Sequence, residues 1–177
     1  MVQVFEGSHI FNYDFPTVSF AYLNRYPNPF AKHVLSIDTL DCDVDELGRL
    51  NTTRLIVKTG RLPSFIKPFL GSSLNSWIIE KTLIDPKTNQ MRTYTSNIDH
   101  RKFIRVEEYL NYSAISPSST EVQMKVKFSS NFIGFKQKIE EWSHKRFSTN
   151  SANSREGLKY VISQLNDKKK LWMNANV

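Results

Sequence analysis

The chain has 177 residues, 40% of them hydrophobic and 23% charged, which suits one globular domain with a sizeable core. Twenty-four basic against seventeen acidic residues leave a net charge of +7, a field that favours nucleic acid, anionic lipid surfaces or acidic ligands without choosing among them. A lone cysteine, Cys42, excludes an intrachain disulfide, and four scattered histidines offer no metal-ligand spacing.

No apolar run approaches the roughly 20 residues that cross a bilayer. The first fifteen residues lack the apolar stretch of a signal peptide and the arginines of a transit peptide. A soluble chain is expected, one that begins within the fold. Val2 to Phe11 reads as a strand. A short helix follows, opened by Asp14 and Pro16, with Val18, Tyr22 and Leu23 on one face. The segment Arg25-Tyr26-Pro27-Asn28-Pro29 ends it, because two prolines forbid continuation. His33 to Thr39 and Thr52 to Lys58 read as strands around a turn at Asp45-Glu46-Leu47-Gly48. Ser76 to Ile84 and Met91 to Asn97 flank a turn at Asp85-Pro86-Lys87, and Phe103 to Tyr112 follows.

Val122, Met124, Val126 and Phe128 then alternate with Gln123, Lys125 and Lys127, a strand with one face buried and one wet. From Asn131 the period changes to 3.6, and a helix is expected to about Asn166, with weak points at Gly134 and the Ser/Asn-rich stretch 148–154. Lys168, Lys169 and Lys170 belong to a solvated end. The order implies one α+β domain over 1–170, a curved antiparallel sheet with helices on one side, and a frayed tail at 171–177.

Three features could carry chemistry. Between two strands, where a tight turn would suffice, Leu62, Phe65, Ile66, Phe69 and Leu70 stand bracketed by Pro and Gly. They suit either a short core helix or a mobile lid that dips into a bilayer. On the C-terminal helix Phe132, Phe135, Ile139 and Trp142 form one stripe, which continues as Arg146, Asn150, Asn153 and Gly157. Either the helix leaves the core there, or its polar part faces the wet end of a pocket, with Arg146 and Asn150 as donors to a phosphate. Arg25, His33, Lys58 and Arg61 are further cationic candidates, and spacing alone does not bring them together.

Asn24-Arg25-Tyr26-Pro27-Asn28-Pro29 with His33 to Thr39, Thr53-Arg54-Leu55 through Gly60-Arg61-Leu62-Pro63, and Glu141-Trp142-Ser143 with Arg146-Phe147 and Asn150 resemble the Ups/PRELI lipid-transfer proteins of mitochondria. Lys67-Pro68-Phe69-Leu70 is most similar to the fungal phosphatidic acid branch. The resemblance implies a START-like domain: a curved seven-stranded antiparallel sheet, a short lid helix and a long C-terminal helix around a lipid cavity. It implies a carrier rather than an enzyme, with no cofactor, catalytic residue or metal. The carrier takes phosphatidic acid across the intermembrane space to the inner membrane for cardiolipin synthesis. It also implies a small helical partner with twin Cys-x9-Cys motifs, in a heterodimer, and transient contact with anionic membranes. The headgroup site it carries over is Arg25, His33, Lys58, Arg61, Arg146 and Asn150. The compared relative has Lys in place of Arg61 and Arg146, and a further Lys in place of Asn153.

On this reading Phe132, Phe135, Ile139 and Trp142 line the cavity, offsetting the cost of carrying acyl chains through water. Arg25→Glu or Lys58→Glu is expected to abolish transfer and spare the fold. Phosphatidylserine transfer by the same fold is the alternative. An enzyme lacks a G-x-S-x-G elbow or a metal cluster, and Asp99-His100 and Glu107-Glu108 read as turn and strand. A nucleic-acid binder lacks any matching signature, and none is expected as partner.

Overall fold

The computed structural model describes residues 2–61, 67–70, 73–131 and 134–175. The chain order is β1 (Val2–Phe11), α1 (Phe15–Leu23), a 3-10 turn at Pro29–Ala31, β2 (Val34–Val44), β3 (Leu50–Arg61), α2 (Lys67–Leu70), β4 (Ser73–Asp85), β5 (Gln90–Asn97), β6 (Ile104–Ser116), β7 (Ser119–Ser130) and α3 (Lys136–Ala175). The strands form one seven-stranded antiparallel sheet in the order β1-β7-β6-β5-β4-β3-β2, so β1 and β2 are its edges. This is the element set of the expected START-like domain. No helix among the described residues is long and apolar enough to cross a membrane.

Local signals place the elements. The Asp14 carboxylate accepts the Thr17 N–H at 2.8 Å and the Thr17 hydroxyl at 2.9 Å, capping α1, and Pro16 fills its first turn. Asp45 accepts the Leu47 and Arg49 N–H groups at 3.0 Å, and Gly48 takes a φ of 80°, which closes the β2–β3 hairpin. On β7 the alternation holds: Val122, Val126 and Phe128 are buried, whereas Gln123, Lys125 and Lys127 are exposed. Register shifts between Val34 and Ser36 and between Thr39 and Asp41 mark bulges in β2. Such bulges increase local bend and twist.

The helix expected from Asn131 to about Asn166, with a weak point at 148–154, is α3, 40 residues and unbroken from Lys136 to Ala175. Its weak stretch is held by packing on both sides. Phe147 stacks on Phe5 of β1 with ring centres 5.1 Å apart, and Gly157 lies against Asn28. Tertiary contact here overrides the low helix propensity of Ser and Asn.

α1 and α3 cover one face of the sheet, and two hydrophobic clusters lie there. The larger joins Phe15, Val18, Ala21 and Tyr22 of α1 with Leu158, Val161 and Ile162 of α3 and with Met91, Leu110, Tyr112 and Val122 of the sheet. The smaller joins Ile104, Phe128 and Ile139, with Phe5, Phe103, Val106, Phe135 and Trp142 packed on it. So Phe135, Ile139 and Trp142 face inward as the stripe requires, Trp142 meeting Phe128 edge-on at 5.5 Å. Phe132 lies outside the described residues, as do Leu62, Phe65 and Ile66. Phe69 and Leu70 belong to α2.

Candidate functional site

Charged residues occupy the gap between the two clusters. In register, Arg54 of β3 pairs with Glu80 of β4, Glu80 with Thr95 of β5, Thr95 with Glu108 of β6, and Glu108 with Val126 of β7. That rung crosses five strands on the helix-covered face.

Glu80 is its anchor, with 0% of its surface exposed. One carboxylate oxygen takes Arg54 Nε at 2.8 Å and also Arg54 Nη2. The other takes the Tyr22 hydroxyl at 2.9 Å and Arg25 Nη2. Burial pushes the Glu80 pKa up, but Arg25 and Arg54 outweigh it and hold the group below the usual carboxylate range. Arg25 stands at the end of α1, where its Nη1 donates to the Tyr22 carbonyl at 2.8 Å. Its guanidinium lies 3.9 Å from the Tyr22 ring centre and 4.6 Å from that of Tyr26. Arg54 Nη1 donates to the Leu23 carbonyl at 2.6 Å, tying β3 to the same helix end.

Arg25 is therefore no solvated surface charge. It is 9% exposed and ion-paired, and the expectation that Arg25→Glu spares the fold is corrected. A carboxylate there would face Glu80 inside the protein.

The other predicted cations lie where β2 begins and β3 ends. Lys58 of β3 is half-buried and pairs in register with Val34 and Ser76. His33 is exposed just ahead of β2, and its carbonyl accepts the Thr59 N–H at 2.8 Å. Partial desolvation by neighbouring residues, followed by the charges of Lys58 and Arg146, lowers the His33 pKa. Arg146 reaches across from α3, and a Cβ built on Gly60 would lie 3.8 Å from its Nη2. Asn150 follows one helical turn later and is exposed. Arg61 ends β3, opposite Ser73.

His33, Lys58 and Arg146 thus converge at one end of the sheet. Lys58 also links them to the interior network, because its charge and that of Arg25 draw the Tyr26 phenol below its ordinary pKa against the effect of burial. Asn153 is exposed, and Gly157 is buried against Asn28.

Three residues of this cluster escape a sequence reading: Arg54, Glu80 and Glu108. Period two carried the signal, since Glu80 shares its strand face with Ile78, Thr82 and Ile84, an inward parity for a charge. Glu107 and Glu108, read as ordinary strand positions, face opposite ways. Glu107 accepts the Tyr94 hydroxyl at 2.9 Å on the outer face and pairs with Arg105. Glu108 faces inward, keeps accessible surface, and has its pKa raised by burial despite Lys58 and Arg25. Asp99 caps the Trp77 N–H at 3.1 Å, and His100 lies 3.6 Å from it, a turn arrangement.

Arg25, Arg54, Lys58 and Arg146 gather here against Glu80 and Glu108. The excess is positive, and protonation of Glu108 increases it. Such a place can hold a phosphate by charge-assisted hydrogen bonds and would penalise a cationic group.

Comparison with known proteins gives a consistent picture. A model of the PRELI-like family matches residues 16–168. Over 169 residues the chain is 47% identical to "Protein UPS1, mitochondrial" of Saccharomyces cerevisiae, covering 94% of this chain and 97% of that one. It is 42% identical to "Protein ups1 homolog" of Schizosaccharomyces pombe, covering 86% and 91%. The human PRELI domain-containing protein 1, mitochondrial, is 30% identical, covering 93% and 77%. Among solved structures, TTHA0849 from Thermus thermophilus superposes with a TM-score of 0.61 at 13% identity, covering 92% of this chain and 99% of that one. The Streptomyces aromatase/cyclase Zhui does so with a TM-score of 0.55 at 8% identity, covering 93% of each. At such identities these two likenesses concern the fold alone.

Proposed function

Because the chain belongs to the PRELI-like family, whose role is lipid transfer in mitochondria, we propose that its cargo is phosphatidic acid, carried unchanged across the intermembrane space to the inner membrane. The observation that carries this reading is the convergence of His33, Lys58 and Arg146 beside the buried Arg25–Glu80–Arg54 network.

A phosphate monoester brings two negative charges close to neutral pH and no cation of its own. Lys58 and Arg146 donate to it, Asn150 adds a neutral donor, and Arg61 is the remaining cation of the site. Arg25 acts from behind, its charge shared with Glu80. Glu108 disfavours a headgroup that carries further negative charge. Choline or ethanolamine would bring a cation into an already positive place. The acyl chains lie along the apolar inner face, where Phe135, Ile139 and Trp142 meet the sheet. The β3–β4 connection, which holds α2, contacts the bilayer. A small twin Cys-x9-Cys protein accompanies the carrier, and contact with either membrane is peripheral.

Transfer of labelled phosphatidic acid and phosphatidylserine between vesicles, with native mass spectrometry of the purified protein, tests this. Phosphatidic acid is expected to co-purify and to move at least tenfold faster. Lys58→Glu and Arg146→Glu are each expected to remove transfer with the melting temperature unchanged. Equal transfer of both lipids would sink the cargo assignment, and normal rates in both variants would sink the site.

A further inference from the structure

α3 is longer than the sheet it covers. Forty residues make a helix of about 60 Å, whereas the longest strands, of thirteen residues, span roughly 43 Å. Its contacts fix which end projects. Ser143 donates to Gln3 at 2.5 Å, Phe147 stacks on Phe5, and Leu158, Val161 and Ile162 pack with Phe11. The helix therefore runs along β1, and Leu165 is its last residue packed on the larger cluster. The turns that follow project past the end of the sheet where β1 finishes. By register this is the end of the β2–β3, β4–β5 and β6–β7 turns, opposite to the β3–β4 connection that holds α2.

The overhang has a definite chemistry. Lys168, Lys169 and Lys170 are exposed, and Leu171, Trp172 and Met173 directly after them are 69%, 70% and 45% exposed. Leu47 and Ile115, in or beside turns at the same end, are exposed too. Lysines in succession beside Leu, Trp and Met match a bilayer boundary: cations meet lipid phosphates, and the indole and aliphatic groups enter the headgroup layer.

We propose that the overhang of α3 is a membrane-contact site for anionic lipid surfaces, distinct from α2 and at the opposite end of the sheet. It acts at the surface and takes no part in holding cargo.

The test floats the full-length protein with phosphatidylcholine vesicles, with and without phosphatidylglycerol, an anionic lipid that is not the proposed cargo. Each lysine near an anionic surface strengthens binding about fivefold, so K168S/K169S/K170S is expected to bind phosphatidylglycerol vesicles roughly a hundredfold less well. Binding to pure phosphatidylcholine should stay low and equal for both proteins. Trp172 should add a blue-shifted emission with anionic vesicles that W172F lacks. Melting temperature and co-purifying lipid report the fold and the cargo separately. A triple variant that keeps its lipid and fold but no longer floats supports the proposal. Wild-type flotation by that variant overturns it whatever cargo is found, as does a Trp172 emission indifferent to vesicles.

Discussion

Glu80→Gln would strip Arg25 and Arg54 of their shared ion-pair partner, and removal of one member of such a buried group costs about 3–5 kcal/mol. Urea unfolding at neutral pH should show that loss. The acid limb carries the same signature. Because Arg25 and Arg54 depress the Glu80 pKa against burial, its stabilisation is complete above the ordinary carboxylate value of 4.5 and disappears as pH falls through the lower native value. Glu108 has the opposite sign. Burial raises its native pKa, so between 4.5 and that raised value the folded state holds the extra proton, and stability falls as pH rises. Glu108→Gln is therefore expected to stabilise the protein at neutral pH, with the gain vanishing below pH 4.5, in paired unfolding curves. It should also tighten binding of a soluble phosphate monoester, measured by calorimetry, because one negative neighbour is gone.

At the scale of elements, the crossing of α3 over the chain after α1 depends on the missing side chain of Gly157. A Cβ there would come within 2.9 Å of the Asn28 amide, which caps the Pro29–Ala31 turn by accepting the Phe30 N–H at 2.9 Å and donates to the Arg25 carbonyl at 2.6 Å. Gly157→Ala gains about 1 kcal/mol of helix propensity but displaces those bonds, at a cost of about 1–2 kcal/mol. The two should nearly cancel, with a slight net loss. In an Asn28→Ala background the clash is absent, so the same substitution should stabilise by about 1 kcal/mol, a change of sign that a thermal double-mutant cycle reads directly.

The same helix shows where sequence reading succeeds. The 3-4 spacing of Phe135, Ile139 and Trp142 and the alternation of Val122 to Phe128 were legible because each is enforced by one face meeting one partner. The continuity of α3 through 148–154 was not, because it comes from Phe5 and Asn28, far away in sequence. Lys58 and Arg146 were visible as candidates. The Arg25–Glu80–Arg54 network was hidden, since its meaning arises only when β3, β4 and α1 come together.

For the whole molecule, the positive excess lies within the fold as well as on its surface, so salt should act on two processes differently. Association with anionic vesicles involves exposed lysines and is expected to weaken steeply with ionic strength, whereas retention of bound phosphate lipid beside half-buried Lys58 should weaken little. Flotation and native mass spectrometry across a salt series separate the two. Among the described residues the core is divided, with thirteen buried residues in the cluster beneath α1 and three in the cluster near the start of α3. Local opening free energy follows the apolar surface held in place, so the two ends of each strand ought to melt on different scales. Amide exchange should run as a gradient along α3, slow from Leu158 to Ile162 and fast around Phe135 to Trp142. A protein built this way can unlatch at one extremity while the other keeps the chain folded, so entry of a bulky guest need not require global unfolding.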